Sequence, residues 1–327
     1  MVSHLKKAFF VLIVVFVLLA LFALFTNALS VLSLVEPWYF VLACISFLLS
    51  ILVWVVSWAF LIRKEFKKAG FGKLVFSGFC AVYASLTPIQ LGAEAVRVIF
   101  LKDFFGIPYT KGVSFSFIVK GLKFFLLALV AFIVILFFLL SVQLEFHYFV
   151  FLLLGFLVIL AATAMFLLPL KKSFGLRIAR IFAFFGKRIK WFKKPENFFI
   201  QYSEYLKKIS VSSLAVIFVL AIISWFFEFL ALQFAFVSFN MWIPLHSVLV
   251  LFVLISILER VPFLPRGIGL VEFVGFAFMS VPEFISVTLY PQQIVAVIIV
   301  FDFARLVVPT VFSMFLNLFS RKLKRFE

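Results

Sequence analysis

SLTPIQLGAEAVRVIFL (residues 85–101) interrupts an apolar segment and decides how the chain must fold. Thr87 and Pro88 end a hydrophobic run, because proline lacks the N–H that a helix interior needs. Glu94 and Arg97 follow three residues apart, a spacing that puts both side chains on one helical face. Charged groups in a hydrophobic segment need partners or water if that segment lies in a membrane. The stretch therefore predicts a broken helix with polar surroundings.

The composition indicates a membrane protein. Hydrophobic residues make up 66% of the 327 residues, 53 of them Phe, and the mean hydropathy is +1.29. Soluble domains are nearer half apolar, so the excess must face lipid. The net charge of +17 is typical of a membrane protein whose cytoplasmic loops are basic and contact anionic lipids. We therefore expect no nucleic-acid partner.

Six long apolar runs predict full membrane-spanning helices in an all-α polytopic fold. They lie at 8–29, 37–62, 113–140, 148–170, 211–239 and 293–319. Two further regions, 74–101 and 244–281, are apolar but split, and each half is too short to span a bilayer comfortably. Each region is predicted to be a broken helical hairpin, either re-entrant or a pair of short crossings.

The distribution of charge predicts the orientation. Most of the 30 Lys and Arg precede the first run, follow 37–62, fill the loop 171–210 or end the chain. By the positive-inside rule, both termini are predicted to be cytoplasmic in a multi-pass cell-membrane protein. The loop 171–210 mixes basic and aromatic residues, as interfacial helices do. The first run resembles a signal peptide but is longer than usual, so an uncleaved helix is expected.

This topology predicts two inverted repeats within a single transmembrane domain, 1–327. The first repeat is 37–140, with the broken region 74–101, and the second is 211–319, with 244–281. The local sequences TPIQLG (87–92) and LPRGIG (264–269) are alike. Inverted repeats with interrupted helices recur in transporters. The alternative is two kinks that coincide by chance.

Charged residues within the apolar segments are candidates for a binding site. We expect six of them to converge on one polar cavity: Glu94, Arg97, Arg266, Glu272, Asp302 and Arg305. Lys120 and Lys123 either extend toward the membrane surface or face the same anionic ligand. Helix breaks are predicted at Thr87, Pro88, Gly92, Pro265, Gly267 and Gly269. The structural alternative is that the charged pairs only hold the bundle together.

The sequence offers no catalytic arrangement. It contains no Walker, GxSxG or HExxH sequence, and its three histidines lack metal-ligand spacing. We therefore expect no enzymatic activity, no metal and no cofactor. Cys44 and Cys80 both lie in hydrophobic segments and give no disulfide framework.

The two motifs resemble those of the flippase-like transmembrane family typified by lysylphosphatidylglycerol synthases. The residues that match the first motif are Thr87, Pro88, Leu91, Gly92, Glu94 and Arg97. Those that match the second are Pro265, Gly267, Gly269 and Glu272. The last helix resembles the family's last Arg-containing helix through Arg305. The chain departs from the family at Arg266, where Gly is common, and at Lys120-Gly121, where Glu-Arg is frequent. The soluble aminoacyl-transferase domain is not found in this sequence. The resemblance implies lipid translocation without lipid aminoacylation.

Three functions are therefore considered. The first is a flippase that moves an anionic phospholipid or a polyprenyl-phosphate lipid between leaflets. The second is a non-catalytic membrane subunit that anchors or regulates a lipid synthase or glycosyltransferase. The third is a transporter of a small anion. Anionic membrane lipids are the expected partners, and a homo-oligomer or a partner enzyme is left open.

The predicted orientation can be tested by cysteine labelling. In a background without Cys44 and Cys80, single cysteines at positions 33, 143 and 286 should react with an impermeant maleimide added outside cells. A cysteine at position 190 should react only after the membrane is permeabilised. External labelling at position 190 would contradict the inverted-repeat topology.

Overall fold

The structure is a computed structural model that describes residues 2–86, 91–141, 209–259, 265–281 and 287–323, with scattered positions between 150 and 204. All regular structure in these residues is helical. Thr87, Pro88, most of the predicted helix 148–170 and nearly all of the loop 171–210 lie outside the described residues.

The helices follow the apolar runs and their interruptions. The elements are α1 (Val2–Phe25), α2 (Leu29–Leu32), α3 (Pro37–Glu65), α4 (Phe71–Cys80), α5 (Leu91–Phe105), α6 (Tyr109–Ser141), α7 (Val211–Val237), α8 (Leu245–Leu258), α9 (Leu270–Met279), α10 (Pro291–Asp302) and α11 (Val308–Leu323). Two 3₁₀ segments, Val82–Leu86 and Pro265–Gly267, lie in the two split regions. A π-helical segment, Phe303–Val307, joins α10 to α11.

Four of the described helical stretches are long and apolar enough to cross a membrane. They are Pro37–Glu65, Tyr109–Leu136, Val211–Val237 and Pro291–Leu318. Shorter apolar helices occupy Phe9–Phe25, Phe71–Leu86, Leu245–Leu258 and Leu270–Met279. A multi-pass helical membrane protein is thus established, while six full crossings and the inverted repeats stay predictions.

The chain forms two compact units. Unit 1 comprises Met1–Val55, Val75–Val96 and Ile223–Glu327. Unit 2 comprises Val56–Leu74 and Arg97–Ile222.

In unit 1, α1 packs against both split regions. Leu12 and Val15 of α1 form a buried cluster with Leu86, Leu306 and Val307, and Ile268 packs against it. The 3₁₀ segment Val82–Leu86 also contacts the 3₁₀ segment Pro265–Gly267. The described ends of the two breaks therefore meet within one unit.

The end of α4 is completed by polar side chains from α11. Ser313 Oγ donates to Phe79 O at 2.9 Å and accepts from Tyr83 N–H at 2.9 Å. Asn317 Nδ2 donates to Cys80 O at 3.3 Å, and both polar side chains are fully buried. A helix that stops inside a membrane leaves backbone groups without partners, and in lipid only protein groups can supply them.

Unit 2 packs the second half of α3 against α6. Trp58 Nε1 donates to Ser116 Oγ at 3.1 Å, and the Phe66 and Phe115 rings meet edge to face. Gly112 gives a close approach to α5, because a Cβ there would lie 3.2 Å from a Val98 methyl group. These contacts hold α6 against α3 and against the part of α5 that belongs to the unit, from Arg97 onward.

We predict that Ser313→Ala lowers the free energy of unfolding by about 1–3 kcal/mol, because it strands buried backbone groups at the end of α4. Ser280→Ala is the matched control, since Ser280 Oγ is exposed and bonds only within its own helix, to Phe276 O at 2.8 Å. Its effect should stay within about 0.5 kcal/mol. Thermal unfolding in detergent measures both, and equal melting temperatures for the two variants would contradict the assigned role.

Candidate functional site

The second split region turns sharply between α8 and α9. Arg266, Gly267 and Gly269 have φ angles of 49°, 70° and 88°, which favour glycine. At Gly267 space is limiting as well, because a Cβ would lie 2.7 Å from Leu258 O. The turn therefore brings its backbone against the end of α8 and places Arg266 at a strained position.

Glu272 completes the start of α9. Its Oε2 accepts from Gly269 N–H at 2.5 Å, so a first-turn carboxylate satisfies an otherwise unpaired donor at the helix N-terminus. The other carboxylate oxygen, Oε1, lies 3.4 Å from Arg305 Nη2. Glu272 thus joins the turn to the π-helical segment.

Arg305 is the centre of the site. It lies in the π-helical segment and is fully buried. Its Nη2 donates to Asp302 Oδ1 at 2.5 Å, and its Nη1 donates to Glu259 Oε1 at 3.0 Å. With Glu272, three carboxylates surround one guanidinium. A buried charge is stable only when it is paired and hydrogen-bonded in this manner.

Arg266 and Arg305 also bond each other's main chain. Arg266 Nη1 donates to Arg305 O at 2.6 Å, and Arg305 Nη1 donates to Arg266 O at 3.3 Å. The Arg266 guanidinium lies 3.9 Å from Glu259 and 5.4 Å from the centre of the Phe47 ring. We call the five residues Glu259, Arg266, Glu272, Asp302 and Arg305 the arginine–carboxylate cluster.

The cluster brings together four of the six residues that the sequence predicted to converge: Arg266, Glu272, Asp302 and Arg305. Glu94 is buried in the first turn of α5, in unit 1, and Arg97 is buried in unit 2. The Arg97 guanidinium lies 5.8 Å from the centre of the Trp58 ring. Their convergence with the cluster stays a prediction.

The other predicted residues fall near the breaks or on α6. Lys120 and Lys123 are half-buried on α6, in unit 2. Gly92 is the second residue of α5, whereas Pro265, Gly267 and Gly269 lie between α8 and α9.

Sequence reasoning did not place Glu259 in the site. Its position could have identified it, because Glu259 is the C-cap residue of α8 and comes immediately before the break. A second buried polar contact was also missed: Ser50 Oγ donates to Glu228 Oε1 at 2.9 Å and lies 3.2 Å from Ser224 Oγ. In the described part of the chain, no group of three or more His, Cys, Asp or Glu is arranged to hold a metal ion.

A comparison with protein families gives one match. The family model described as the lysylphosphatidylglycerol synthase TM region matches residues 8–313. Comparisons with curated proteins and with solved structures give no match. The matched residues include both split regions and the whole arginine–carboxylate cluster.

We predict that Arg305→Ala destabilises the fold by about 3–5 kcal/mol, because it leaves three buried carboxylates without their shared cation. Lys111→Ala is the control: its pair with Glu65, at 3.3 Å, is about one-third exposed, and such pairs contribute about 0–1 kcal/mol. Thermal unfolding in detergent measures both. A stably folded Arg305→Ala protein with an unchanged melting temperature would show that the cluster is dispensable for folding.

Proposed function

The chain belongs to the family of the lysylphosphatidylglycerol synthase transmembrane region, and from this membership we propose that it moves an anionic lipid between the two leaflets of the membrane. The substrate class is a phospholipid or polyprenyl lipid whose headgroup carries a phosphate. The protein acts without a catalytic step and resides in the cell membrane with both termini in the cytoplasm.

One observation carries this proposal: a fully buried arginine and a largely buried arginine contact each other beside a helix break in a membrane protein. Arg305 is fully buried, and the Arg266 side chain is 11% exposed. Ionisable residues at membrane depth are costly, and they commonly mark the path of a charged substrate. Irregular backbone at that depth is tolerated where it is enclosed by protein or lines a cavity.

The chemistry of arginine suits a phosphate headgroup. Its planar guanidinium presents paired N–H donors that match two oxygens of a phosphate, as they match a carboxylate. Glu259 and Glu272 hold Arg305 in the structure, so a headgroup phosphate would compete with these carboxylates for the same donors. The lipid chains would stay in the bilayer, where the exposed apolar side chains of the helices already face an apolar solvent.

The two arginines have different roles in this mechanism. Arg305 anchors the site, because it contacts three carboxylates and has no exposed surface. Arg266 is the more accessible cation and is the residue that we assign to first contact with the headgroup. Arg97, from the first motif, is assigned to the same substrate on the strength of the sequence.

A translocation assay tests the proposal. Purified protein is reconstituted into phosphatidylcholine vesicles that contain a trace of fluorescent phosphatidylglycerol, and an impermeant quencher reports the fraction of lipid that reaches the outer leaflet. Arg266→Ala should slow translocation about 10- to 150-fold, because it removes a charge-assisted contact worth roughly 1.5–3 kcal/mol. Arg97→Ala should behave in the same way.

Lys111→Ala is the control for charge removal and should translocate at the wild-type rate. Melting temperatures of all variants separate loss of function from loss of fold. Fluorescent phosphatidylcholine should move more slowly than phosphatidylglycerol, because it has no net negative charge. Folded Arg266→Ala and Arg97→Ala proteins with wild-type rates would refute the assignment, as would a wild-type protein that moves neither lipid.

A further inference from the structure

The arginine–carboxylate cluster contains more acids than bases. Glu259, Glu272 and Asp302 face the two guanidinium groups of Arg266 and Arg305. When all five are ionised their charges sum to −1, and one added proton makes the five groups neutral. Neutrality matters here because Asp302 and Arg305 are fully buried, where an uncompensated charge is costly.

Two of the acids lie close to each other. Asp302 Oδ1 and Glu272 Oε1 both contact Arg305 Nη2, at 2.5 Å and 3.4 Å. Asp302 Oδ2 is buried and makes no hydrogen bond among the described residues. Two ionised carboxylates have only acceptors to offer one another, so they repel. A single proton converts such a contact into a donor–acceptor pair, as in other carboxyl dyads.

The hydrogen bonds indicate which acid carries the proton. Both oxygens of Glu272 have donors: Oε2 accepts from Gly269 N–H, and Oε1 lies 3.4 Å from Arg305 Nη2. Each Glu272 oxygen is therefore already an acceptor of an N–H donor. Asp302 has a donor at Oδ1 only, from Arg305. Its Oδ2 is therefore the atom with a place for a proton.

The surroundings of Asp302 are otherwise apolar. It lines a cavity of about 10 Å³ whose other lining residues, from α7, α8, α9 and α10, carry no polar side chain. A water molecule in so small a space would need two to four polar partners, and Asp302 is the only polar side chain in the lining. A metal ion would need several oxygen ligands. A proton needs one.

The other titratable groups on the elements that pack against Asp302 lie outside the cavity lining. On α8 the titratable residue is His246, in the first turn of the helix. Within α10, α9, the π segment and the break, the titratable groups are the members of the cluster itself, and Arg260 of the break lies outside the described residues. The titratable residues of α1 are in its first two turns (His4, Lys6 and Lys7), and α2 has none. On α7, Glu228 accepts from Ser50 at 2.9 Å.

We propose that Asp302 is a proton-binding site within the membrane, where its carboxyl group holds one exchangeable proton. The binding step forms an O–H bond at Asp302 Oδ2 and cancels the excess negative charge of the cluster. One consequence, unlike the site itself, rests on the proposed function: a phosphate that displaces a carboxylate from Arg305 could be neutralised by this proton, which would couple lipid movement to pH.

Infrared difference spectroscopy tests the site without any lipid substrate. The reconstituted wild-type protein, titrated from acidic to alkaline pH, should show the C=O stretch of a protonated carboxylic acid, with a shift in D₂O. Asp302→Asn should remove that band. Glu272→Gln should keep it at an altered frequency, and Glu65→Gln, at an exposed acid, should leave it unchanged. The proposal is overturned if the wild-type titration shows no such band. It is also overturned if Asp302→Asn leaves the band in place.

Stability gives an independent measurement. Asn resembles a neutral carboxylic acid in shape and charge, so Asp302→Asn should shift the melting temperature by less than about 4 °C. An Asp302→Asn protein that fails to fold would mean that the ionised carboxylate is required, and would also overturn the proposal. Asp302→Glu keeps a titratable group and should restore a pH-dependent band at a new frequency. A wild-type protein with this band but no lipid translocation would retain the proton site and reject only the proposed function.

Discussion

One guanidinium group without solvent access constrains most of unit 1. Arg305 bonds Glu259 at the end of α8, the Arg266 carbonyl in the turn, Glu272 in the first turn of α9 and Asp302 at the end of α10. Four elements therefore share one cation. Because no water reaches it, each contact must be made by protein, and a shift of any one element would leave a buried charge incompletely paired.

The same requirement explains the buried Ser313 and Asn317 side chains of α11. Thr310, Ser313 and Asn317 are fully buried along one face, while Phe312 and Phe315 on the opposite side are exposed. In a soluble helix this distribution would be reversed. In a membrane the apolar face can meet lipid, and the polar face can supply partners to backbone groups where α4 ends.

The helical membrane class was predictable from the sequence, because long apolar runs have few alternatives. So was the Asp302–Arg305 pair, since both residues lie on one helix three positions apart. Glu94 and Arg97 have the same spacing and likewise lie on one helix, α5. Glu259 and Ser313 could not be placed from the sequence, because their partners are distant in the chain and depend on how the helices pack.

No feature of the sequence predicted the π-helical segment Phe303–Val307. This segment determines how far α11 is rotated about the helix axis relative to α10. Compared with a regular α-helix of the same residues, a turn that accommodates one additional residue rotates every later residue by roughly 100° about the helix axis. α10 and α11 are continuous along the chain, but the face that α10 turns inward near Asp302 is not simply extended by α11. This offset lets one transmembrane span present charge at one depth and hydroxyl and amide groups at another. A regular α-helix over the same residues would turn the Ser313 side chain to a different face from the end of α4, whereas deletion of one residue within the segment would restore a regular helix and keep Ser313 on its present face.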